Sequence, residues 1–157
     1  LKINTIHRKF ISKILKSNKP YYIPLWFFGM VKTPSVKWKN TILKYKKQCQ
    51  SILQLSTNIR YVGIINNYGR TLTGVIKPNL KPLLKSEEVK HEFFIISTLL
   101  SLRKDNSDSL GKFDHIVLKH SKVNVIVFLK NNVTFYVSIN SKEKNLDKII
   151  SLIKKTI

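Results

Sequence analysis

The sequence predicts an α+β domain, a five-stranded, mostly antiparallel sheet with flanking helices in the order α-β-β-α-β-β-β-α. Three observations carry this. Residues 59–76 (IRYVGIINNYGRTLTGVI) are two runs rich in Val, Ile, Tyr and Thr around the polar break Asn66-Asn67-Tyr68-Gly69, which reads as a hairpin. Residues 123–129 and 133–139 alternate with period two on either side of Asn131-Asn132, which reads as a second. Residues 38–55, 87–103 and the stretch from 142 onward carry apolar side chains at offsets of three and four, the spacing of helices with one buried face.

The chain begins with a basic amphipathic segment, in which Ile6, Phe10 and Ile14 fall at helical spacing among Arg8, Lys9, Lys13 and Lys16. PYYIPLWFFGMVKTP follows, with Pro20, Pro24 and Pro34 too dense for regular helix. Such a pair of segments suits a membrane interface or packing on its own domain. Its longest apolar run, residues 21–31, is about half the ~20 residues a transmembrane helix needs. The only methionine is Met30, so a start there, with residues 1–29 as upstream sequence, is a further reading. We divide the chain into a basic, aromatic-rich extension, 1–37, and a domain, 38–157.

In the helix expected over 38–55, Ile42, Tyr45, Cys49, Ile52 and Leu53 form the core-facing stripe, with Lys44, Lys46 and Lys47 off it. Cys49 on that stripe reads as a buried small hydrophobe rather than a reactive thiol. Ser56-Thr57-Asn58 breaks the helix. In the hairpin, Gly69 tolerates positive φ and Asn67 can bond its own backbone. Pro78 and Pro82 keep residues 77–82 non-helical. Ser86 reads as a hydroxyl cap, with Glu87 and Glu88 against the positive end of the helix dipole. The helix of 87–103 places Val89, Phe93, Ile96 and Leu100 on one face, and Ile95, Leu99 and Leu102 widen the arc to half the circumference. Phe94 stands alone on the polar side. Such an excess predicts a second apolar contact, either a partner subunit or, in a monomer, the N-terminal extension laid over it.

Residues 104–111 (KDNSDSLG) read as a loop. A strand over 114–120 alternates Ile116 and Leu118 with His115, Val117 and Lys119. In 133–139, Val133, Phe135, Val137 and Ile139 point inward, and Thr134, Tyr136 and Ser138 outward. The closing helix, from about Lys142, turns Leu146, Ile149, Ile150, Ile153 and Ile157 inward and its lysines to water.

Charge is distributed unevenly. The chain carries a net +21, yet residues 1–86 hold 17 Lys or Arg and no acid. A field of that sign favours polyanions, either nucleic acid or an anionic membrane surface. Lysine inflated by an AT-rich coding sequence is the competing explanation. Lys37, Trp38, Lys39, Lys44, Lys46 and Lys47 are the candidate polyanion contacts, with Trp38 as a stacking group. The lone Cys49 fits a reducing, cytoplasmic compartment.

No catalytic constellation is visible. His115 and His120, five apart, would point to opposite faces of a strand, so they make no joint metal site. Asp105, Asp108 and Asp114 lack calcium-loop spacing. There is no phosphate-binding glycine loop and no nucleophile elbow. We expect no enzyme, no cofactor and no metal.

The stretches IRYVGIINNYGRTLTG, PLLKSEE, LRKDNSDSLGKFDHIVL, VNVIVFL and NVTFYVSI, in this order, resemble the roadblock/light-chain family, with its profilin-like fold. They are most similar to uncharacterised archaeal proteins of that kind, over about three-quarters of the chain; the lysine excess departs from that group. The resemblance implies a non-enzymatic dimerising scaffold or regulatory adaptor. Its partners would be a second copy or a related subunit, beside a small GTPase. Phe94, Ile95, Leu99, Leu102, Ile116 and Leu118 would form the interface. Nucleic-acid binding through the basic first part is the alternative, and a small-molecule sensor a weaker one.

Overall fold

The computed structural model describes residues 34–157. The expectations for residues 1–33 lie outside the described residues. Trp38–Ile157 forms one compact unit.

The elements are α1 (Pro34–Leu53), β1 (Ile59–Ile65), β2 (Thr71–Ile76), α2 (Ser86–Asp105), the single turn α3 (Ser107–Leu110), β3 (His115–Lys119), β4 (Val123–Lys130), β5 (Val133–Asn140) and α4 (Leu146–Thr156). The strands form one sheet in the order β2-β1-β5-β4-β3, with every neighbouring pair antiparallel. β2 and β3 are therefore its two edges.

Helices cover both faces. On one, Cys49 and Ile52 of α1 and Ile149, Ile150 and Ile153 of α4 pack with Val62, Ile64, Ile126, Phe128, Phe135 and Val137. On the other, Phe93, Ile96 and Leu100 of α2 pack with Ile65, Val125, Val127 and Tyr136. Burying each such Ile or Phe contributes about 1.5–3 kcal/mol. That packing, more than intrinsic propensity, fixes where the helices lie. A register shift between Ile59 and Tyr61 lets Ile59 share a face with Val62 and Ile64 despite the odd spacing.

Several expectations change. Pro34, read as part of a non-helical stretch, is the first residue of α1, where its missing N–H is no loss. The turn side chain is Asn66 rather than Asn67: its Oδ1 accepts from Tyr68 N at 3.0 Å and Arg70 N at 2.9 Å. Ser86 is not the cap; it lies inside α2, and Glu88 Oε2 accepts from the backbone N of Lys85 at 2.7 Å. α2 runs to Asp105, and four residues of the expected loop form α3. α4 starts at Leu146, not Lys142. Thr134 and Tyr136, read as outward, are buried, Tyr136 directly against α2. The Asn131-Asn132 turn is as expected, both residues having positive φ, 51° and 61°.

Candidate partner-binding face

The face is built on α2, and its position follows from how α2 is anchored. Gly69, at φ +73°, closes the β1–β2 turn, and a Cβ there would meet Phe93 O, Phe94 Cα and Phe94 N, each at 2.8 Å. The turn therefore packs directly on the α2 backbone. Halfway along the sheet, Tyr136 Oη donates to Glu92 Oε1 at 2.8 Å. Its ring meets Phe93 edge-on, with centroids 4.9 Å apart. Burial, then Glu92 as acceptor, raises the Tyr136 phenol well above its ordinary range, so it stays a donor. Near the end of α2, Lys104 Nζ donates to Asn132 Oδ1 at 3.1 Å. Three ties hold the helix in one rotation.

That rotation turns Phe93, Ile96, Ser97 and Leu100 to the sheet. It leaves Phe94, Ile95 and Leu102 exposed at 62, 64 and 55%, with Leu99 half-buried. At about 100° per residue, Phe94, Ile95 and Leu102 fall within about 100° of arc on the side away from the core. The excess apolar arc of the sequence is thus open surface rather than buried. Ile116 and Leu118 of β3 are half-buried against the core on the α2 side. All six candidate residues therefore lie on one side of the sheet, four on α2 and two on the edge strand.

β3 has a second property the sequence did not reveal. His120 N donates to Val123 O at 2.9 Å. With the register Leu118↔Val125 and Ile116↔Val127, the alternation of an antiparallel ladder makes these the hydrogen-bonded pairs. The N–H groups of His115, Val117 and Lys119 then point off the sheet edge. Just before the strand, Asp114 Oδ2 accepts from Lys154 Nζ at 2.5 Å and lies 2.8 Å from His115 Nδ1. The lysine bond first, then the histidine, holds the Asp114 carboxyl below its ordinary value. The His115 ring stacks on Phe128, centroids 5.8 Å apart.

The basic candidates lie on α1. Lys37, Trp38, Lys39, Lys44, Lys46 and Lys47 are exposed, Trp38 at 56%. Helical geometry spreads them over about half the circumference: Lys37 and Lys44 fall on one flank of the Tyr45–Cys49–Ile52 stripe, Lys39 and Lys46 on the other, and Lys47 opposite it. Trp38 continues the line of the stripe itself. They do not form one track. Cys49 is buried, and desolvation raises its thiol to about 11, so it is protonated and inert at neutral pH.

Among the described residues, no group of three His, Cys, Asp or Glu side chains is placed to hold a metal. No described helix is long and apolar enough to cross a membrane. Two small clefts, of about 140 and 170 Å³, open at the β4–β5 turn end of the sheet. The first is lined by Asn67, Ser97, Ser101, Lys104 and Thr134 among others, a polar grouping from three elements that strand periodicity alone did not bring together.

No protein-family model matches the chain, and no curated protein matches it. Solved structures do. A roadblock/LC7 domain from Streptomyces avermitilis matches with a TM-score of 0.53 at 11% identity, covering 71% of this chain and 92% of its own. The gliding protein MglB from Thermus thermophilus gives 0.55 at 12% identity, covering 80% and 86%. MglB from Myxococcus xanthus gives 0.56 at 11% identity, covering 72% and 88%. The chain therefore has the roadblock fold that its hairpin and strand stretches resemble.

Proposed function

We propose that this chain is a roadblock-type adaptor domain that pairs with a second copy, or with a related subunit, through α2 and β3. The observation that carries the reading is the coincidence, on one side of the sheet, of exposed Phe94, Ile95 and Leu102 with an edge strand whose outward N–H groups have no acceptor among the described residues. Soluble proteins rarely leave apolar residues so grouped uncovered, and an open edge invites another strand. A partner placed there satisfies both. One continuous sheet would run across the two subunits, with the α2 helices side by side. The domain boundary belongs to the same proposal, with 38–157 as the pairing unit and 1–37 as an extension.

The role is binding rather than catalysis. Its strongly perturbed groups, Cys49 and Tyr136, are buried in packing and in a structural hydrogen bond. Self-association also accords with one solved MglB, which is described in a tetrameric arrangement. A small GTPase as the protein served by the pair follows from the family resemblance, and co-purification with GTP-loaded and GDP-loaded GTPases from the same cell tests it. Binding of nucleic acid by α1 is weaker, because its lysines spread over about half the circumference of the helix rather than lining one track.

Sedimentation of the wild type against Phe94→Asp and Ile116→Asp at micromolar concentration tests the pairing. Both substitutions place a carboxylate in the proposed contact and are expected to yield monomers, and Phe94→Asp, at an exposed position, should leave the circular dichroism unchanged. A wild-type monomer, or an assembly that neither change weakens, contradicts the proposal.

A further inference from the structure

The opposite edge of the sheet makes a second binding surface. Lys77 N donates to Arg60 O at 2.9 Å. With Tyr61↔Ile76, Val62↔Val75 and Gly63↔Gly74 in register, the hydrogen-bonded pairs are Arg60–Lys77 and Val62–Val75. The N–H and C=O groups of Gly74 and Ile76 therefore point outward, with no partner among the described residues.

Natural edges are usually blunted by charge or proline within the strand. β2 reads TLTGVI and contains neither. Its charges stand at its two ends instead, Arg70 before and Lys77 after. Lys77 Nζ donates to the backbone oxygen of Thr57, a neutral acceptor that leaves its charge unbalanced. Arg60 Nη2 donates to Lys81 O at 3.2 Å, which brings Arg60 and Lys81 to the same end. Within described residues 34–86 no acidic side chain balances them. Two carboxylates reach neighbouring segments, and both are occupied. Glu143 Oε2 accepts from Ser56 Oγ and Asn58 Nδ2, each at 2.9 Å, and its Oε1 from Asn145 N at 3.1 Å. Glu88 Oε2 accepts from Lys85 N.

The side chains leave room for an added strand. Gly63 and Gly74 are paired across β1 and β2, and the Tyr61 ring lies over both. Ile76 beside it is 45% exposed. An apolar residue of an added strand would find Ile76 on the α2 face, and acidic residues would find Arg70 and Lys77 at the ends. We infer that β2 takes an extended, acidic segment of a partner protein by strand addition. This surface does not depend on pairing through β3, since a dimer formed there leaves β2 at the outer edge of each copy.

The probe is a fluorescent peptide alternating Glu and Val, compared with one alternating Lys and Val, in anisotropy titrations against the full chain. The acidic peptide is expected to bind and the basic one not. Ile76→Pro removes an outward donor without touching the β1–β2 ladder and should weaken binding about tenfold or more. Should that variant fail to fold, the peptide N-methylated on alternate residues replaces it: one register should abolish binding and the other leave it intact. Equal binding of the two peptides, no binding of either, or insensitivity to both the proline and the N-methyl groups overturns the inference.

Discussion

Gly69→Ala tests the contact that sets the rotation of α2. Two costs add. The residue sits at φ +73°, and an L side chain there costs about 1–2 kcal/mol. The new Cβ would also lie 2.8 Å from three backbone atoms of Phe93 and Phe94. Backbone cannot swing aside as a side chain end can, so overpacking adds about 1–3 kcal/mol. The expected loss is about 2–5 kcal/mol, a large part of a domain's typical 5–15 kcal/mol. Urea denaturation should show a lowered midpoint with unchanged slope. Gly111→Ala is the comparison. Its φ of +79° and ψ of 179° lie in a region almost confined to glycine, but a Cβ there meets nothing within 4 Å, so a backbone cost of about 1–3 kcal/mol is all that applies. If Gly69→Ala costs no more than the backbone term of about 1–2 kcal/mol, the turn does not press on α2 and the reasoning fails.

Tyr136→Phe keeps the ring against Phe93 but leaves Glu92 without its donor; a loss of about 1–2 kcal/mol in the same denaturation assay is expected. Cys49 should react with a thiol reagent only after denaturant is added, since burial raises it to about 11; fast labelling of the native protein would contradict its place in the core. Glu143, whose bond from Asn58 leads those that lower its carboxyl below the ordinary 4.5, contributes stability that is present above that value and lost as pH falls through its lower folded value. Solvent exposure keeps the effect small. Glu143→Gln should flatten the acid limb of a stability–pH curve, and an unaltered limb would refute the clasp.

Much of the fold was legible because it rests on short-range patterns. The period-two runs of β4 and β5, the Asn131-Asn132 turn and the stripe through Cys49 and Ile52 each state their structure within a few residues. The width of the apolar arc on α2 also pointed correctly to side chains left over after the sheet is covered. What stayed hidden is long-range. Alternation places Thr134 and Tyr136 on the face opposite Val133 and Phe135, but it cannot tell a face open to water from one beneath a helix. The bond from Asn58 to Glu143 joins residues 85 apart in sequence, and the approach of Gly69 to Phe94 joins a turn to a helix that follows a separate strand. Ser86 was misread because a hydroxyl before two glutamates fits two positions equally, and only the backbone shows that Lys85 precedes the helix. The lysines of α1 looked like one patch in sequence, yet helical geometry spreads them over about half the circumference of the helix.

The most direct measurement of pairing through β3 is amide hydrogen exchange at Val117, followed against protein concentration. Its N–H points away from β4 and has no acceptor within the described residues. Pairing predicts that this amide is slow to exchange at high concentration and fast on dilution, with Ile116 and Leu118 slow throughout. Fast exchange of Val117 at every concentration, while its neighbours stay protected, would show the edge to be bare and the adaptor reading wrong.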